Sequence, residues 1–295
     1  MLKLSYFTGV SIMFSAIGKI IQWIGRHFLG MLFLLIVIIV LMPEGSPTNP
    51  ANLQEIKLTG PIMDSDAVIK EIEAAHKDKK IKGVLLTVNS PGGAVPPSIE
   101  ISYAIKASKK EKPVIAYAGG IMASGSYYAS IYANKIISNP GAIIGSIGVI
   151  LESADIKELM DKIGIKPQIV QQGTYKQAGT PMREWTPEER AELEQLTKDT
   201  YTLFVKDVAT ARGLDLNNSK AYADAHIFSA ERALKVRLID AIGIKSEAKK
   251  ELQSLAKIGK PVWKEKDKIQ SFMEKLSSEA ILQIHSYFYG LKAIL

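Results

Sequence analysis

Three short segments carry residue types suited to covalent chemistry. Met122-Ala123-Ser124-Gly125-Ser126-Tyr127-Tyr128 places a serine where an apolar strand and its Gly-rich turn give way to a helix. Gly173-Thr174-Tyr175-Lys176 places a lysine in a turn after the next βαβ stretch. Asn89-Ser90-Pro91-Gly92-Gly93 offers free backbone amides after another buried strand. Serine is a poor nucleophile until a base takes its proton. A neutral lysine can be that base, because serine–lysine pairs are variants of the triad logic. The three segments supply nucleophile, base and oxyanion cradle for a serine hydrolase that needs no histidine.

The lysine must be unprotonated to act, although a free one titrates at about 10.4. Burial favours the neutral amine. No acid lies between Asp161 and Glu184, and Ile169 to Tyr175 is uncharged, so an apolar or hydroxyl-lined pocket around Lys176 is expected. Ser146, in Gly145-Ser146-Ile147-Gly148, can orient the amine by a hydrogen bond. The amide of Gly125, at a helix N-terminus, pairs with that of Gly93 as oxyanion donor, and Gly92 is a further candidate. The helix dipole also favours negative charge at Ser124. The bland readings are a surface lysine and two ordinary Gly-containing strand–helix turns.

The histidines offer little. His27 flanks the apolar N-terminal run, His76 closes a helix and His285 lies in the tail. His226, in Asp224-Ala225-His226-Ile227-Phe228, is the one serious candidate, and it also reads as a loop residue ahead of a helix. No serine sits in a Gly-x-Ser-x-Gly elbow, which argues against an α/β-hydrolase triad. Neither a Walker pattern nor Gly-x-Gly-x-x-Gly stands at a strand–helix junction, which argues against a nucleotide-phosphate loop.

The elements that must position these residues alternate. Apolar strands are expected at Ile56 to Leu58, Gly83 to Val88, Pro113 to Tyr117, Lys135 to Ser138 and Gln168 to Gln171. Helices are expected at Asp66 to Ala75, Ser98 to Ala107, Ser124 to Ile131 and Ile156 to Ile163, with Ala142 to Leu151 extended between the last two. Such alternation means right-handed βαβ units on a largely parallel sheet. Thr186-Pro187-Glu188-Glu189 then opens a long helix with a capping box and a first-turn proline, ending at Gly213. Further helices are expected from Ala230, before Leu238-Ile239-Asp240, and over Lys245 to Ala256.

At 295 residues the chain suits one sizeable domain plus appendages. Its net charge of +7 is scattered through mixed-sign runs such as Lys264-Glu265-Lys266-Asp267-Lys268, which reads as solvated surface with no nucleic-acid role. Without cysteine there are no disulfides, no thiol catalysis and no cysteine-based metal site; neither metal nor cofactor is expected. Phe28 to Met42 is uncharged and mostly apolar. Extended back to Ile20, with Arg26 and His27 snorkelling, it reaches the roughly 20 residues that span a bilayer. Lys3, Lys19 and Arg26 precede it and no acid occurs before Glu44, so the N-terminus is expected in the cytoplasm and the chain after Pro43 outside. A cleaved signal peptide and a buried core helix are the rivals. The first is disfavoured by the poor cleavage site at Leu41-Met42-Pro43-Glu44-Gly45-Ser46, the second by apolarity on every face.

The segments around Gly92-Gly93 and Ser124 resemble the signal peptide peptidases of the SppA type. So do Gly145-Ser146-Ile147-Gly148-Val149, Tyr175-Lys176-x-Ala178-Gly179-x-Pro181-x-Arg183, Thr186-Pro187-Glu188-Glu189-Arg190 and Ile227-Phe228-Ser229-Ala230-Glu231-x-Ala233. The likeness covers roughly residues 55 to 250. It implies an α/β fold of ClpP/crotonase-like stacked ββα units behind an N-terminal transmembrane helix. It implies Ser124 as nucleophile, Lys176 as general base, Ser146 supporting Lys176, and Gly93 and Gly125 as oxyanion amides. It further implies a membrane-anchored serine endopeptidase acting on remnant signal peptides and other apolar peptides, assembled as a homo-oligomeric ring or dome. In such an assembly serine and lysine can meet across a subunit interface. Two departures stand out: Ser126 replaces a second glycine, and His226 an arginine. The expected organisation is a stub, anchor and linker over 1–48, a peptidase domain over 49–258 and an amphipathic tail over 259–295. Rival readings are a crotonase-type acyl-CoA enzyme, disfavoured by the lack of a carboxylate near Gly92-Gly93 or Ser124, and a catalytically silent membrane scaffold.

Overall fold

A computed structural model describes residues 22–35 and 50–264. The chain divides into two compact units, Met1–Thr48 and Asn49–Leu295. In the first unit, residues 22–35 form a helix exposed along its whole length, including Trp23, Phe28 and Phe33. Among the described residues no helix is long and apolar enough to cross a membrane. The rest of the span expected over 20–42 lies outside the described residues, as do the N-terminal stub, the linker and the tail beyond residue 264.

The second unit is built on a sheet whose main path runs β1 (Leu53–Thr59), β2 (Gly83–Ser90), β3 (Val114–Ala123), β4 (Lys135–Ser138) and β7 (Ala241–Ile242). All pairs along that path are parallel. Short β5 (Ile143–Gly145) continues alongside the far end of β3, and β6 (Ile227–Ser229) runs antiparallel to β5. The strand sequences are apolar on both faces because both faces are covered, as parallel sheets require. Leu53, Leu85, Ile115, Tyr117 and Ile137 pack on one side with Ala248 and Leu252 of α7 (Lys245–Leu255). Their neighbours in sequence, among them Val84, Leu86, Val114 and Ala116, join the larger cluster. That cluster includes Ile72 of α1 (Asp66–Lys77), Ile101 of α2 (Val95–Ser108) and Tyr127 of α3 (Gly125–Ser130). Each of the branched aliphatic side chains among them, fully buried, contributes about 1.5–3 kcal/mol of transfer free energy.

The long helix α5 (Pro187–Arg212) forms as its caps dictate. Thr186 and Glu189 make the reciprocal capping box, and Gly213 ends the helix in a left-handed conformation at φ 62°. The short α4 (Lys157–Lys162), the 3₁₀ turn Leu216–Ala221 and α6 (Ala230–Lys235) complete the elements the argument needs. Beyond α7 the chain returns to the sheet edge: Leu53 N–H donates to Val262 O at 3.1 Å, and Lys264 N–H to Leu53 O at 2.8 Å.

One expectation fails. Residues 168–171 form no strand: Val170 is 99% exposed, and among the described residues no backbone hydrogen bond pairs the segment with a sheet edge. Alternating apolar residues make a strand only where a neighbour can pair with it. The extended stretch expected over Ala142 to Leu151 holds in part: it is a strand at Ile143–Gly145, Ser146 then turns at φ 49°, and backbone bonds to the segment before β6 continue through Ser146 N–H to His226 O and Ala225 N–H to Ile147 O.

Candidate active site

The site lies where β2, β3 and β5 end. β2 and β3 pair regularly up to Val88↔Ala118 and resume at Ser90↔Met122, so Gly119 to Ile121 pass opposite Asn89 alone. Asn89 fills the irregularity: its Oδ1 accepts Ile121 N–H at 3.0 Å. β3 then reaches Ala123, paired with Gly145, and the next residue is Ser124.

Ser124 has φ 52° and ψ −124°, outside both helical and extended regions. A non-glycine residue held there is strained, and such strain persists only where the surroundings enforce it. Here they do. Ser124 N–H donates to Gly145 O at 2.8 Å, and Ser124 O accepts Tyr128 N–H at 3.0 Å. The Ser126 hydroxyl, fully buried, accepts Ala123 N–H at 2.9 Å and lies 2.6 Å from Ser90 O as donor. α3 is anchored at depth, with Tyr127 donating to Leu238 O at 2.8 Å and Tyr128 to the Asp207 carboxylate of α5. Burial, then the Asp207 carboxylate it bonds, pushes the Tyr128 hydroxyl well above its ordinary pKa, so it stays a donor.

The glycine turn lies against this serine. A Cβ at Gly92 (φ 95°) would stand 2.5 Å from Gly125 N and 2.9 Å from Ser124 Cβ. A Cβ at Gly125 would stand 2.3 Å from Ser98 Oγ and 3.2 Å from Gly93 N. Only glycines permit this approach. The turn is held by Ile62, whose N–H donates to Gly92 O and whose carbonyl accepts Ala94 N–H, both at 2.8 Å. Gly92 N–H is occupied by Ser90 Oγ at 3.2 Å. Among the described residues, the N–H groups of Gly93 and Gly125 have no acceptor. Two unpaired donors next to a strained serine are the geometry that stabilises a tetrahedral oxyanion.

Ser146 follows Gly145 in the strand neighbouring β3, so it stands beside Ser124; its N–H donates to His226 O at 2.7 Å. His226 thus supports the site through its main chain, while its exposed ring lies edge-on to Phe228. The structure therefore brings together Ser124, Ser146, Gly92, Gly93 and Gly125. Lys176 stands apart. It is exposed in a turn on the arm of residues 149–186, and among the described residues its Nζ has no hydrogen-bond or ion-pair partner. The dry pocket expected around it is not formed by this chain alone.

Sequence reasoning named the segment Asn89 to Gly93 but gave no role to the side chains of Asn89 and Ser90, missed Ser98, and took Ser126 for a change of turn shape. Their contacts reach across 32 to 36 positions for Asn89 and Ser126, which no local pattern reveals.

Two family models match the chain. Peptidase family S49 covers residues 106–259, a span that includes Ser124, Ser146 and Lys176, and Clp protease covers residues 51–138. The chain belongs to peptidase family S49. With relatives named as proteases, one of them "Serine protease SPPA, chloroplastic" of Arabidopsis thaliana, the match makes this a serine peptidase, and the Clp protease match agrees with the largely parallel, ClpP-like α/β sheet. The chain is 39% identical over 198 residues to "Putative protease MJ0651" of Methanocaldococcus jannaschii, covering 67% of this chain and 64% of that one. It is 35% identical over 207 residues to "Putative protease slr0021" of Synechocystis, covering 70% and 74%. It is 33% identical over 190 residues to "Putative signal peptide peptidase SppA" of Enterococcus faecium, covering 64% and 54%. The S49 chain thus spans between about half and three quarters of these relatives. Among solved structures, ClpP1 of Listeria monocytogenes aligns at a TM-score of 0.46 and 15% identity, over 66% of this chain and 93% of that one.

Proposed function

We propose that this S49 chain is a membrane-anchored endopeptidase in which Ser124 and Lys176 form the catalytic dyad. The observation that carries the reading is Ser124 held at φ 52° beside two unpaired amides. Ser124 Oγ attacks the scissile carbonyl while Lys176 Nζ takes its proton. The carbonyl oxygen, now anionic, accepts from Gly93 and Gly125 N–H. Collapse of the tetrahedral intermediate breaks the peptide C–N bond, and Lys176 returns the proton to the leaving amine. Water, deprotonated by the same lysine, releases the acyl group from Ser124. Ser146, beside Ser124, orients the amine.

A base lysine needs a dry setting, and Lys176 lacks one on the single chain. A second copy supplies it in this reading. Ile150 is 81% and Val170 99% exposed on the arm that bears Lys176, and Ile163, Ile165 and Ile169 are exposed with them. Apolar side chains displayed together in this way favour a protein partner, which supports a ring or dome of copies. The exposed apolar helix at 22–35, preceded in sequence by Lys3 and Lys19, supports a bilayer anchor with the peptidase unit outside the cytoplasm. Substrates are then peptides left at the membrane, cleaved signal peptides among them.

Mixing tests both dyad and assembly. Full-length Ser124→Ala and Lys176→Ala are each expected to be inactive on an apolar peptide. Co-assembled, they are expected to regain turnover if one copy's lysine serves another's serine. Full turnover by either variant alone contradicts the dyad.

A further inference from the structure

Lys176 is carried on an arm with little burial of its own, yet a general base must be placed to within about half an ångström of its working position. One connected set of side chains runs from its neighbour to the first turn of α5. Gln177 Oε1 accepts from Arg183 Nη2 at 3.2 Å. The Arg183 guanidinium makes a bidentate pair with Glu189, both contacts at 2.8 Å. Glu189 also accepts Thr186 N–H at 3.0 Å and donates its own N–H to Thr186 Oγ1 at 3.2 Å. Among the described residues Glu189 is the one charged residue counted as buried, at 2% exposure.

Main-chain contacts tighten the same stretch. Thr180 N–H donates to Gln177 O at 2.9 Å, and Trp185 Nε1–H donates to Thr180 O at 2.8 Å. Arg183 Nη1 also reaches Glu184 O at 2.9 Å. The capping box alone explains Glu189 and Thr186. It does not explain why the guanidinium spans from the helix cap to Gln177.

We propose that Gln177, Arg183 and Glu189 form a strut that positions Lys176 as general base, fixing its turn to the N-terminus of α5. Gln177 and Arg183 are positioning residues: neither touches the reacting atoms. The proposal rests on Lys176 being the base, and it adds the part of the fold that aims it. The bidentate fork is essential to the strut, because one guanidinium serves Glu189 and Gln177 together and an ammonium does not. Glu189 stays charged for this role; the Arg183 guanidinium and the Thr186 N–H hold its carboxyl down at about 2.

The test uses the full-length enzyme and an apolar reporter peptide, with kcat, KM and thermal midpoint measured for each variant. Gln177→Met removes the acceptor and leaves the Arg183–Glu189 pair and the helix cap intact. It is expected to lower kcat at least tenfold, with KM within twofold of wild type and an unchanged thermal midpoint. Gln177→Glu keeps an oxygen for Arg183 and is expected to restore kcat, with the basic limb of the pH profile displaced by the added charge. Arg183→Lys is expected to lower kcat likewise, and also to lower the thermal midpoint because the bidentate pair with Glu189 is lost. Wild-type kcat in Gln177→Met, alongside an inactive Lys176→Ala, overturns the strut and leaves the dyad standing. A kcat loss that Gln177→Glu fails to restore overturns it as well. Turnover in Lys176→Ala removes the dyad reading itself, and the strut with it.

Discussion

Ser124 and Lys176 sit on two regions built in opposite ways. The serine turn is enclosed and over-determined: two parallel strands end at it, three glycines admit close backbone approach, and the buried Ser126 hydroxyl ties its start to β2. The lysine arm over 149–186 is open, with large apolar side chains facing outward. The first region stores strain at φ 52° because hydrogen bonds on every side enforce it. The second stores none that is visible, and depends on one polar strut and, as proposed, on a second copy. The difference teaches that, in the proposed reading, one chain already holds the oxyanion donors beside Ser124, whereas Lys176 is left exposed and unpartnered among the described residues.

The comparison can be broken at the chemistry first. Ser124→Ala is expected to lower kcat at least ~10³-fold with an unchanged thermal midpoint. A loss of folding instead makes Ser124 a structural residue. Next comes the enclosed turn. Gly125→Ala drives a Cβ to 2.3 Å from Ser98 Oγ, and is expected to lower kcat by ~10²-fold or more together with stability. Ser126→Ala leaves Ala123 N–H and Ser90 O without their buried partner. The expected cost is ~1–3 kcal/mol, read by denaturant melting, with a smaller fall in kcat.

The open arm responds differently. Val170→Asp, at a fully exposed position, is expected to change monomer stability by less than about 0.5 kcal/mol. It is expected to reduce both assembly size, by light scattering, and activity in parallel. Unchanged assembly places the copy–copy contact elsewhere. The smallest effect concerns pH. The Glu189 carboxyl is held at about 2, below its ordinary value near 4.5, so its stabilising effect is present above the ordinary value. It is lost as pH falls from about 4.5 toward about 2. Glu189→Gln is expected to flatten that part of the melting-temperature profile.

Much of the framework was legible because local physics decides it. Gly83 to Val88 is apolar on both faces, and both faces are covered; Thr186, Pro187, Glu189 and Gly213 spell the ends of α5, and α5 begins and ends there. The place of Ser124 was legible from an apolar strand and a Gly-rich turn giving way to a helix. The strand expected at 168–171 was not, since sequence shows an apolar pattern and not whether an edge waits for it. Sequence ranked Gly93 ahead of Gly92 as a donor but showed no contact that separates them. That distinction rests on Ser90 Oγ, which engages one amide and leaves the other free. The roles of Asn89, Ser98 and Ser126 come from contacts between chain segments far apart, and the setting of Lys176 is proposed to come from a second copy.

The most direct measurement is covalent labelling. Full-length protein is treated with a fluorophosphonate, the adduct is mapped by mass spectrometry, and the labelling rate is followed against pH in wild type and Lys176→Ala. The account expects a single adduct on Ser124, formed at least tenfold more slowly without the lysine. An adduct on another residue, or an undiminished rate in Lys176→Ala, contradicts it.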